Sequence, residues 1–278
     1  MSKDLREILA QPKAAIMGVV NTTPDSFSDG GRFLTQDAAV EHALQLVRDG
    51  ADILDIGGES TRPGAEPVSV EDEKARVIPV IQTLVCETST PISIDTSKPK
   101  VMRAALQAGA SMINDVNGLR AKGAMNIAAE SSCMLCIMHM QGQPRTMQSA
   151  PKYNDVVLEV ITFLQRQIEA CTSAGVTPGN IAVDPGIGFG KTLEHNLALL
   201  AATQRIKSEL ESHVLIGVSR KSMIDKLLGR PVDQRLAGSI GLAVQAVLNG
   251  AKIIRVHDVA ATHDAVRCAE AVAAAQTK

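Results

Sequence analysis

Eight short apolar runs alternate with amphipathic segments along the chain. The runs are rich in Ile, Val, Leu and Met, and they lie at residues 14–20, 51–57, 91–95, 111–115, 133–139, 180–184, 214–219 and 252–257. Between them, apolar residues recur three and four positions apart, as in "DAAVEHALQLVRDG", and several of these segments end at a glycine: Gly50, Gly109 and Gly175. Near-continuous apolar runs predict strands that are buried on both faces, whereas the intervening spacing predicts helices.

Eight strand–helix units in 278 residues predict a single α/β domain over residues 1–278, folded as a (β/α)8 barrel,. A doubly wound open sheet is the alternative. That fold usually carries a glycine-rich dinucleotide loop after its first strand, and "VVNTTPDS" contains none,. The segment "NTTPDSFSDGG" is longer than a strand–helix turn requires, so we expect long, mobile loops after the first and second strands,.

Polar side chains follow every predicted strand. In a barrel of this type the carboxyl ends of the strands form the active site. The residues at these ends are Asn21; Glu59, Thr61 and Arg62; Asp95; Asn114 and Asp115; His139; Asp184; Ser219, Arg220 and Lys221; Arg255 and His257. Polar residues also cap ordinary helices, but Arg, Lys and His are not N-cap residues. The set as a whole therefore indicates a binding site.

These side chains fall into two chemical classes. Asp95, Asn114 and Asp184 offer hydrogen-bond acceptors and an amide, which suit the N–H-rich edge of a planar heterocycle,. The second class is cationic and suits a phosphate or diphosphate. It contains Arg62, Arg220, Lys221, Arg255 and His257. The predicted ligand has a polar ring at one end and an anion at the other.

Two motifs resemble a phosphate-binding loop and a metal-binding CxxC, but neither is predicted to have that function. "PGIGFGKT" (185–192) resembles a phosphate-binding loop, but Pro185 stands where the first glycine must be,. We interpret it as a tight loop that lays Phe189 over the pocket, with Lys191 at the solvated surface. Cys133 and Cys136 form a CxxC inside a predicted strand, where residues three apart face opposite sides, so buried reduced thiols are favoured over a metal site,.

Composition excludes several function classes. A net charge of −2, four Phe, one Tyr and no Trp disfavour nucleic acid as a partner,. The sequence shows neither an apolar run of about 18 residues nor a secretory signal, which predicts no membrane span and a cytoplasmic protein. A Ser-His-Asp or Cys-His set for nucleophilic catalysis is not evident.

Seven motifs together resemble the bacterial dihydropteroate synthase family. They are "GVVNTTPDSFSDGG", "DIGGESTRPGA", "ISIDTSKPKV", "INDVNG", "DPGIGFGK", "VSRKSMI" and "RVHDV", in the family's order. The resemblance implies a TIM barrel and a folate-pathway transferase. Such an enzyme condenses p-aminobenzoate with (7,8-dihydropterin-6-yl)methyl diphosphate to give 7,8-dihydropteroate and diphosphate, assisted by Mg2+. It also implies a homodimer and inhibition by sulfonamides.

The resemblance also implies a role for particular residues. Asp95, Asn114, Asp184 and Lys221 would hold the pterin ring. Thr61, Arg255, His257 and Asn21 would hold the diphosphate, with Asn21 as the magnesium ligand. Arg62, Pro63, Phe27, Phe189 and Ser222 would shape the p-aminobenzoate site, with Phe27 on a loop that closes over it. The expected catalytic residues are Asp95, Arg255, Arg62 and Lys221.

Three other functions remain open on sequence grounds. A methyltetrahydrofolate-dependent methyltransferase domain shares the ring-binding set but has no need of Arg255, His257 or the "STRPG" loop. A Schiff-base aldolase could act through Lys221, with Arg220 lowering its pKa. A binding module would keep the pocket without catalysis.

Overall fold

Eight parallel strands close into one barrel in the computed structural model, which describes residues 3–22, 32–60, 64–143 and 146–276. Each strand pairs with its neighbours in chain order, and β8 pairs with β1. The strands are β1 (Ala15–Asn21), β2 (Ile53–Gly57), β3 (Ile92–Asp95), β4 (Met112–Asp115), β5 (Met134–Met138), β6 (Ile181–Asp184), β7 (His213–Gly217) and β8 (Ile253–Val256). All eight lie within the predicted apolar runs or within one residue of them, so the (β/α)8 prediction is confirmed.

Eleven helices are assigned in the described ranges. They are α1 (Leu5–Ala10), α2 (Arg32–Arg48), α3 (Val70–Glu87), α4 (Pro99–Ala108), α5 (Ala124–Glu130), α6 (Val156–Ser173), α7 (Leu193–Ala201), α8 (Thr203–Leu210), α9 (Ser222–Leu228), α10 (Leu236–Leu248) and α11 (Val259–Gln276). Gly109 ends α4 in the left-handed conformation, with φ of 111°, as its position predicted. The single helical segment expected after β6 is divided at Ala202 into α7 and α8.

Residues two apart along each strand point into the barrel, and they change from apolar to polar toward the carboxyl end. Met17, Ile53, Met112 and Leu215 belong to an apolar cluster that is distinct from the layer between strands and helices. Two positions further along β2 and β4 come Asp55 and Asn114. On β6 and β8, Asp184 and Arg255 likewise follow the interior residues Ala182 and Ile253, whereas β1 and β7 have Val19 and Gly217 at this level. The interior therefore has an apolar layer near its amino end and a polar layer at its mouth.

Helix α1 covers the amino end of the barrel. Leu5 and Leu9 are each 3% exposed and join the interior apolar cluster. Arg6 fixes the helix by donating to Asn180 Oδ1 and to the Ser132 carbonyl, both at 2.8 Å. Asn180 immediately precedes β6 and Ser132 lies two residues before β5, so α1 acts as a plug at the end opposite the polar mouth.

Three further predictions concern membrane spans, the CxxC cysteines and the residues of the first two loops. No helix within the described ranges is long and apolar enough to span a bilayer. Cys136 lies in the interior cluster, whereas Cys133 packs on the outer layer, so the two thiols face opposite sides as expected. The proposed lid residue Phe27 and the second-loop residues Thr61, Arg62 and Pro63 lie outside the described residues.

Candidate active site at the carboxyl end of the barrel

Arg255 is the centre of a charged network at the mouth. Its Nε donates to Asp55 Oδ2 at 2.6 Å, and its Nη2 donates to Asp95 Oδ2 at 2.7 Å. Asn114 Nδ2 donates to the same Asp55 oxygen at 3.1 Å. Because only the amide nitrogen can donate to a carboxylate, this bond directs the Asn114 carbonyl oxygen away from Asp55. Asp55 thus holds two side chains of the mouth in fixed orientations.

Asp184 and Lys221 extend the mouth across β6 and β7. Asp184 ends β6, is 7% exposed, and accepts from the Gly186 N–H at 2.7 Å. Lys221 precedes α9, and its ammonium donates to the Ile187 carbonyl. The same ammonium lies 4.8 Å from the centroid of the half-buried Phe189 ring, which is a cation–π distance,. Loop 185–192 therefore supplies both a carbonyl and an aromatic face to Lys221.

His257 follows β8 and is oriented by Ser219. The Ser219 hydroxyl lies 3.0 Å from His257 Nδ1 and accepts from the His257 backbone N–H at 3.2 Å. Ser222 is exposed at the first position of α9. His257 follows Arg255 by two residues in the chain. An anion bound by Arg255 would therefore lie close to His257.

Asn21 ends β1 beside Gly57, its paired residue on β2. A Cβ placed on Gly57 would lie 4.0 Å from Asn21 Oδ1 and 3.8 Å from Asp95 Oδ2. Glycine thus leaves space between an amide oxygen and a carboxylate oxygen. Both are hard donors of the kind that Mg2+ prefers, and Mg2+ usually takes its remaining ligands from water and substrate phosphates. These donor types suit the metal that the resemblance implies, although Asp95 Oδ2 is also paired with Arg255.

Burial shifts the ionisation of the mouth residues. It raises the pKa of Asp95 to about 7, with Arg255 opposing the shift and Asp55 adding to it. Burial also raises the pKa of Asp184, while Lys221 and the Gly186 N–H oppose it. For Lys221, burial lowers the pKa to about 8 although Asp184 attracts the charge. The mouth is thus a desolvated site in which charges act on one another strongly.

Several strand-end residues lie elsewhere. Arg220 pairs outward with Asp258, at 3.0 Å from Nε to Oδ2. Asp115 accepts from the Asn117 and Leu119 N–H groups and closes a turn. His139 is buried, with its ring packed edge-on against Phe163.

Lys191 was expected at the surface, and this expectation is wrong. The residue is only 1% exposed. Its ammonium contacts the ring of His139 behind the loop instead of solvent. A lysine beside glycines resembles a solvated loop residue in sequence, and its burial depends on how that loop folds back onto the strand end after β5.

Asp55 and the Lys98 cluster were missed by the sequence reasoning. Asp55 sits inside the apolar run "ILDIG", and a carboxylate inside a buried strand signals a partner, here Arg255,. Lys98 joins Glu59, at 2.6 Å, to the fully buried Glu73 on α3. Glu59 also accepts from the Val68 N–H at 2.8 Å, so this predicted strand-end residue has a structural partner on each side.

Comparisons with known proteins agree on one family. The sequence profile of the pterin-binding enzymes matches residues 17–257. Dihydropteroate synthase of Escherichia coli K12 is 49% identical over 261 residues, covering 94% of this chain and 92% of its own. The structure of the Yersinia pestis enzyme with a sulfonamide drug has a TM-score of 0.90 at 45% identity, covering 94% of this chain and 95% of that one. The Xanthomonas albilineans enzyme solved with 4-aminobenzoic acid has a TM-score of 0.89 at 51% identity, covering 95% and 94%.

Proposed function

The chain belongs to the pterin-binding enzyme family and, within it, to the dihydropteroate synthases, and we propose that its reaction takes place at the mouth built around Arg255. The reaction joins p-aminobenzoate to (7,8-dihydropterin-6-yl)methyl diphosphate and releases diphosphate. The observation that carries the assignment of the site is the position of Arg255 between Asp55 and Asp95, with Asn114 on the same network. One cation is thus available to the anionic leaving group, directly beside acceptors for a polar ring.

The ring end of the substrate lies against Asp184, Asn114 and Lys221. The carboxylate of Asp184 and the freed carbonyl oxygen of Asn114 accept from the ring N–H groups, whereas Lys221 donates to a ring acceptor. Met138 pairs in register with Asp184 and is 2% exposed, so an apolar wall adjoins these polar contacts. A planar heterocycle requires this combination of apolar faces and fixed polar edges.

The diphosphate end lies against Arg255 and His257, with Asn21 as the proposed protein ligand of Mg2+. Bound Mg2+ would neutralise charge on the diphosphate oxygens. As the bond from the pterin CH2 to oxygen breaks, Arg255 stabilises the charge that develops on the leaving oxygen. The carboxylate of Asp95 stabilises the positive charge that spreads from the CH2 group into the ring. The arylamine nitrogen then bonds to this carbon and loses a proton, which the released diphosphate or water accepts.

The p-aminobenzoate end is assigned to Phe189 and Ser222, together with Phe27, Arg62 and Pro63, which lie outside the described residues. Thr61, assigned to the diphosphate end, also lies outside them. Phe189 offers an aromatic face beside Lys221. We also propose that sulfonamides compete at this end by mimicking p-aminobenzoate. The alternative methyltransferase function is disfavoured because the similar proteins compared above are dihydropteroate synthases.

Incubation of the protein with Mg2+, the pterin diphosphate and labelled p-aminobenzoate tests the proposal. We expect labelled dihydropteroate, competitive inhibition by a sulfonamide, and loss of pterin binding in Asp184→Ala. Asp233→Ala, an acidic residue on an exposed turn, is the matched control and should retain activity. Turnover that survives Asp184→Ala, or that ignores a large excess of sulfonamide over p-aminobenzoate, would contradict the site assignment.

The outer face of α9 and α10 supports a homodimer. Apolar side chains are exposed on these helices and on the turn between them: Leu227, Leu228, Val232, Leu236 and Leu248. Leu228 and Val232 are 56% and 57% exposed, an unusual density of apolar surface for adjoining elements,. A second copy of the chain would cover this face. Sedimentation should give a dimer for the wild type and a monomer for Val232→Asp, and a monomeric wild type would overturn the proposal.

A further inference from the structure

Lys191 is a buried lysine that the proposed reaction does not use. Its Nζ lies 3.1 Å from His139 Nδ1 and donates to the Phe189 and His139 carbonyls at 3.0 and 3.3 Å. In its charged form the Lys191 ammonium has three donors, which match these three acceptors. Burial lowers the pKa of Lys191 to about 7, while Asp184 favours the charged form. The pairing requires a neutral His139 with its proton on Nε2. Burial and the neighbouring Lys191 lower the pKa of His139 to about 3, which keeps the ring neutral as the pairing needs.

The loop that carries Lys191 has an unusually permissive backbone. Gly186, Gly188 and Gly190 have φ of 73°, 84° and 61°. Glycine populates this left-handed region freely, but it also loses more conformational freedom on ordering than any other residue. Three such residues within five positions do not by themselves specify one loop conformation. Side-chain contacts, both within the loop and with the surrounding protein, must select it.

Lys191 supplies contacts that tie the loop to itself and to β5. One acceptor, the Phe189 carbonyl, belongs to the loop, whereas the two atoms of His139 belong to the segment that follows β5. Tyr153 adds a bond from its hydroxyl to the Gly190 carbonyl at 2.9 Å. The Lys191 charge also lies close enough to Asp184 to favour the ionised carboxylate. Removal of the ammonium would leave three buried acceptors without this donor.

The same loop contributes two groups to the active site. The Ile187 carbonyl accepts from Lys221, and the Phe189 ring lies against the Lys221 ammonium. Phe189 carries both the ring that faces Lys221 and the carbonyl that Lys191 binds. A shift at Lys191 is therefore transmitted to Lys221 through a single residue.

We propose that Lys191 is a positioning residue, an internal pin that sets the conformation of loop 185–192 and, through it, the places of Phe189 and Lys221. The inference rests on the proposed function of that mouth. Lys191 belongs to a sequence that resembles a phosphate-binding loop. Its side chain instead lies in the protein interior, where it binds carbonyl groups and not phosphate.

Lys191→Met tests the pin because methionine keeps an unbranched chain and removes the donors. We expect the KM for p-aminobenzoate and the dissociation constant of a pterin each to rise about tenfold or more, since a misplacement of about 1 Å can cost about a hundredfold. Binding of inorganic diphosphate with Mg2+ should stay unchanged, because the hydrogen bonds of Arg255 within the described part of the chain go to Asp55 and Asp95 and not to the loop. In the ligand-free protein, hydrogen exchange at the amides of residues 186–191 should accelerate.

Controls separate positioning from folding. Lys152→Met makes the same change at an exposed lysine nearby and should match the wild type. Tyr153→Phe removes a single bond to the loop and should act in the same direction with a smaller effect, which keeps the test available if Lys191→Met fails to fold. Unchanged constants in folded Lys191→Met, or equal losses in pterin and diphosphate binding, would overturn the inference. A wild type that makes no dihydropteroate would overturn the proposed function instead, while the exchange experiment still tests the pin.

Discussion

Asp55 illustrates how one carboxylate can orient the side chains around it. It is fully buried and orients both Arg255 and Asn114. The substitution Asp55→Asn removes the negative charge that pairs with Arg255. The new side-chain amide can donate to Asn114, which allows the Asn114 amide to adopt the flipped orientation with its carbonyl oxygen toward residue 55. We expect kcat/KM for the pterin diphosphate to fall about a hundredfold, as for other misplaced binding groups.

A control for Asp55→Asn lies on the same segment of chain. Asp52 precedes β2 and pairs with Arg267 at 3.2 Å, at the opposite end of the barrel. Asp52→Asn should lower thermal stability and leave kcat/KM unchanged. Similar kinetic losses in the two variants would mean that Asp55 serves stability alone.

Asp95 gives a prediction for the dependence of stability on pH. Burial raises its pKa from 3.8 to about 7, so between these values the folded chain binds a proton that the unfolded chain does not. Stability contributed by this group is therefore present on the acid side and is lost as the pH rises toward 7. Denaturant unfolding across this range should show a negative contribution from Asp95 to the slope of the free energy of unfolding against pH. The substitution Asp95→Asn should remove this contribution. An identical pH profile in the two proteins would contradict the shift.

Prediction from sequence at the residue scale succeeded in locating residues and failed where a role depends on packing. Asp95, Asn114, Asp184, Lys221, Arg255 and His257 do lie together at the mouth, because strand periodicity and the barrel rule fix where strand ends go. Lys191 and His139 are directed away from the mouth by the path of a loop. No local pattern encodes that path. Asp55 could have been found, since a carboxylate within an apolar strand requires a buried partner.

At the scale of an element, loop 185–192 is another feature whose role depends on packing that the sequence does not reveal. Gly186 has φ of 73°, and a Cβ there would lie 1.9 Å from the His139 carbonyl oxygen. Gly186→Ala must therefore displace the backbone on which Phe189 and Lys191 depend. We expect a marked loss of stability and a raised KM for p-aminobenzoate, measured by denaturant unfolding and initial rates.

The variant Gly229→Ala is a control that introduces the left-handed backbone strain of Gly186→Ala without its steric clash. Its φ is 64°, and an added Cβ would meet nothing within 4 Å. Gly229→Ala should cost only the left-handed penalty of about 1–2 kcal/mol and leave the KM unchanged. If the two alanine variants behaved alike, the close approach of the loop to His139 would not matter for function.

Strands were predictable as elements because each is a continuous apolar run, whereas helix ends were less so. The division between α7 and α8 occurs at Ala202, where the cap residue has φ of −86° and ψ of 7°. Alanine carries no stop signal, so the break follows from packing. It separates two short helices in a segment whose apolar spacing is continuous. Helix α1 was not predicted either, since its role as a plug exists only once the barrel has closed.

The whole barrel has one end for chemistry and one for stability. Its mouth carries a buried charge network, an arrangement that adds little net stability because desolvation offsets the attraction between the charges. The amino end carries methionines, isoleucines and leucines sealed by α1. We therefore expect substitutions at the two ends to separate cleanly into effects on rate and effects on folding.

Leu9→Ala tests this separation. The side chain is 3% exposed and packs into the interior cluster, so its truncation should destabilise the fold by about 2–5 kcal/mol,. Below the unfolding transition kcat/KM should equal that of the wild type, because the substitution leaves the polar layer untouched. Leu197→Ala, at a position 38% exposed on α7, should change stability by only about 0.5 kcal/mol,. A fall in kcat/KM for Leu9→Ala in fully folded protein would show that strain passes along the strands, and that the amino end of the barrel takes part in placing Arg255 and Asp95.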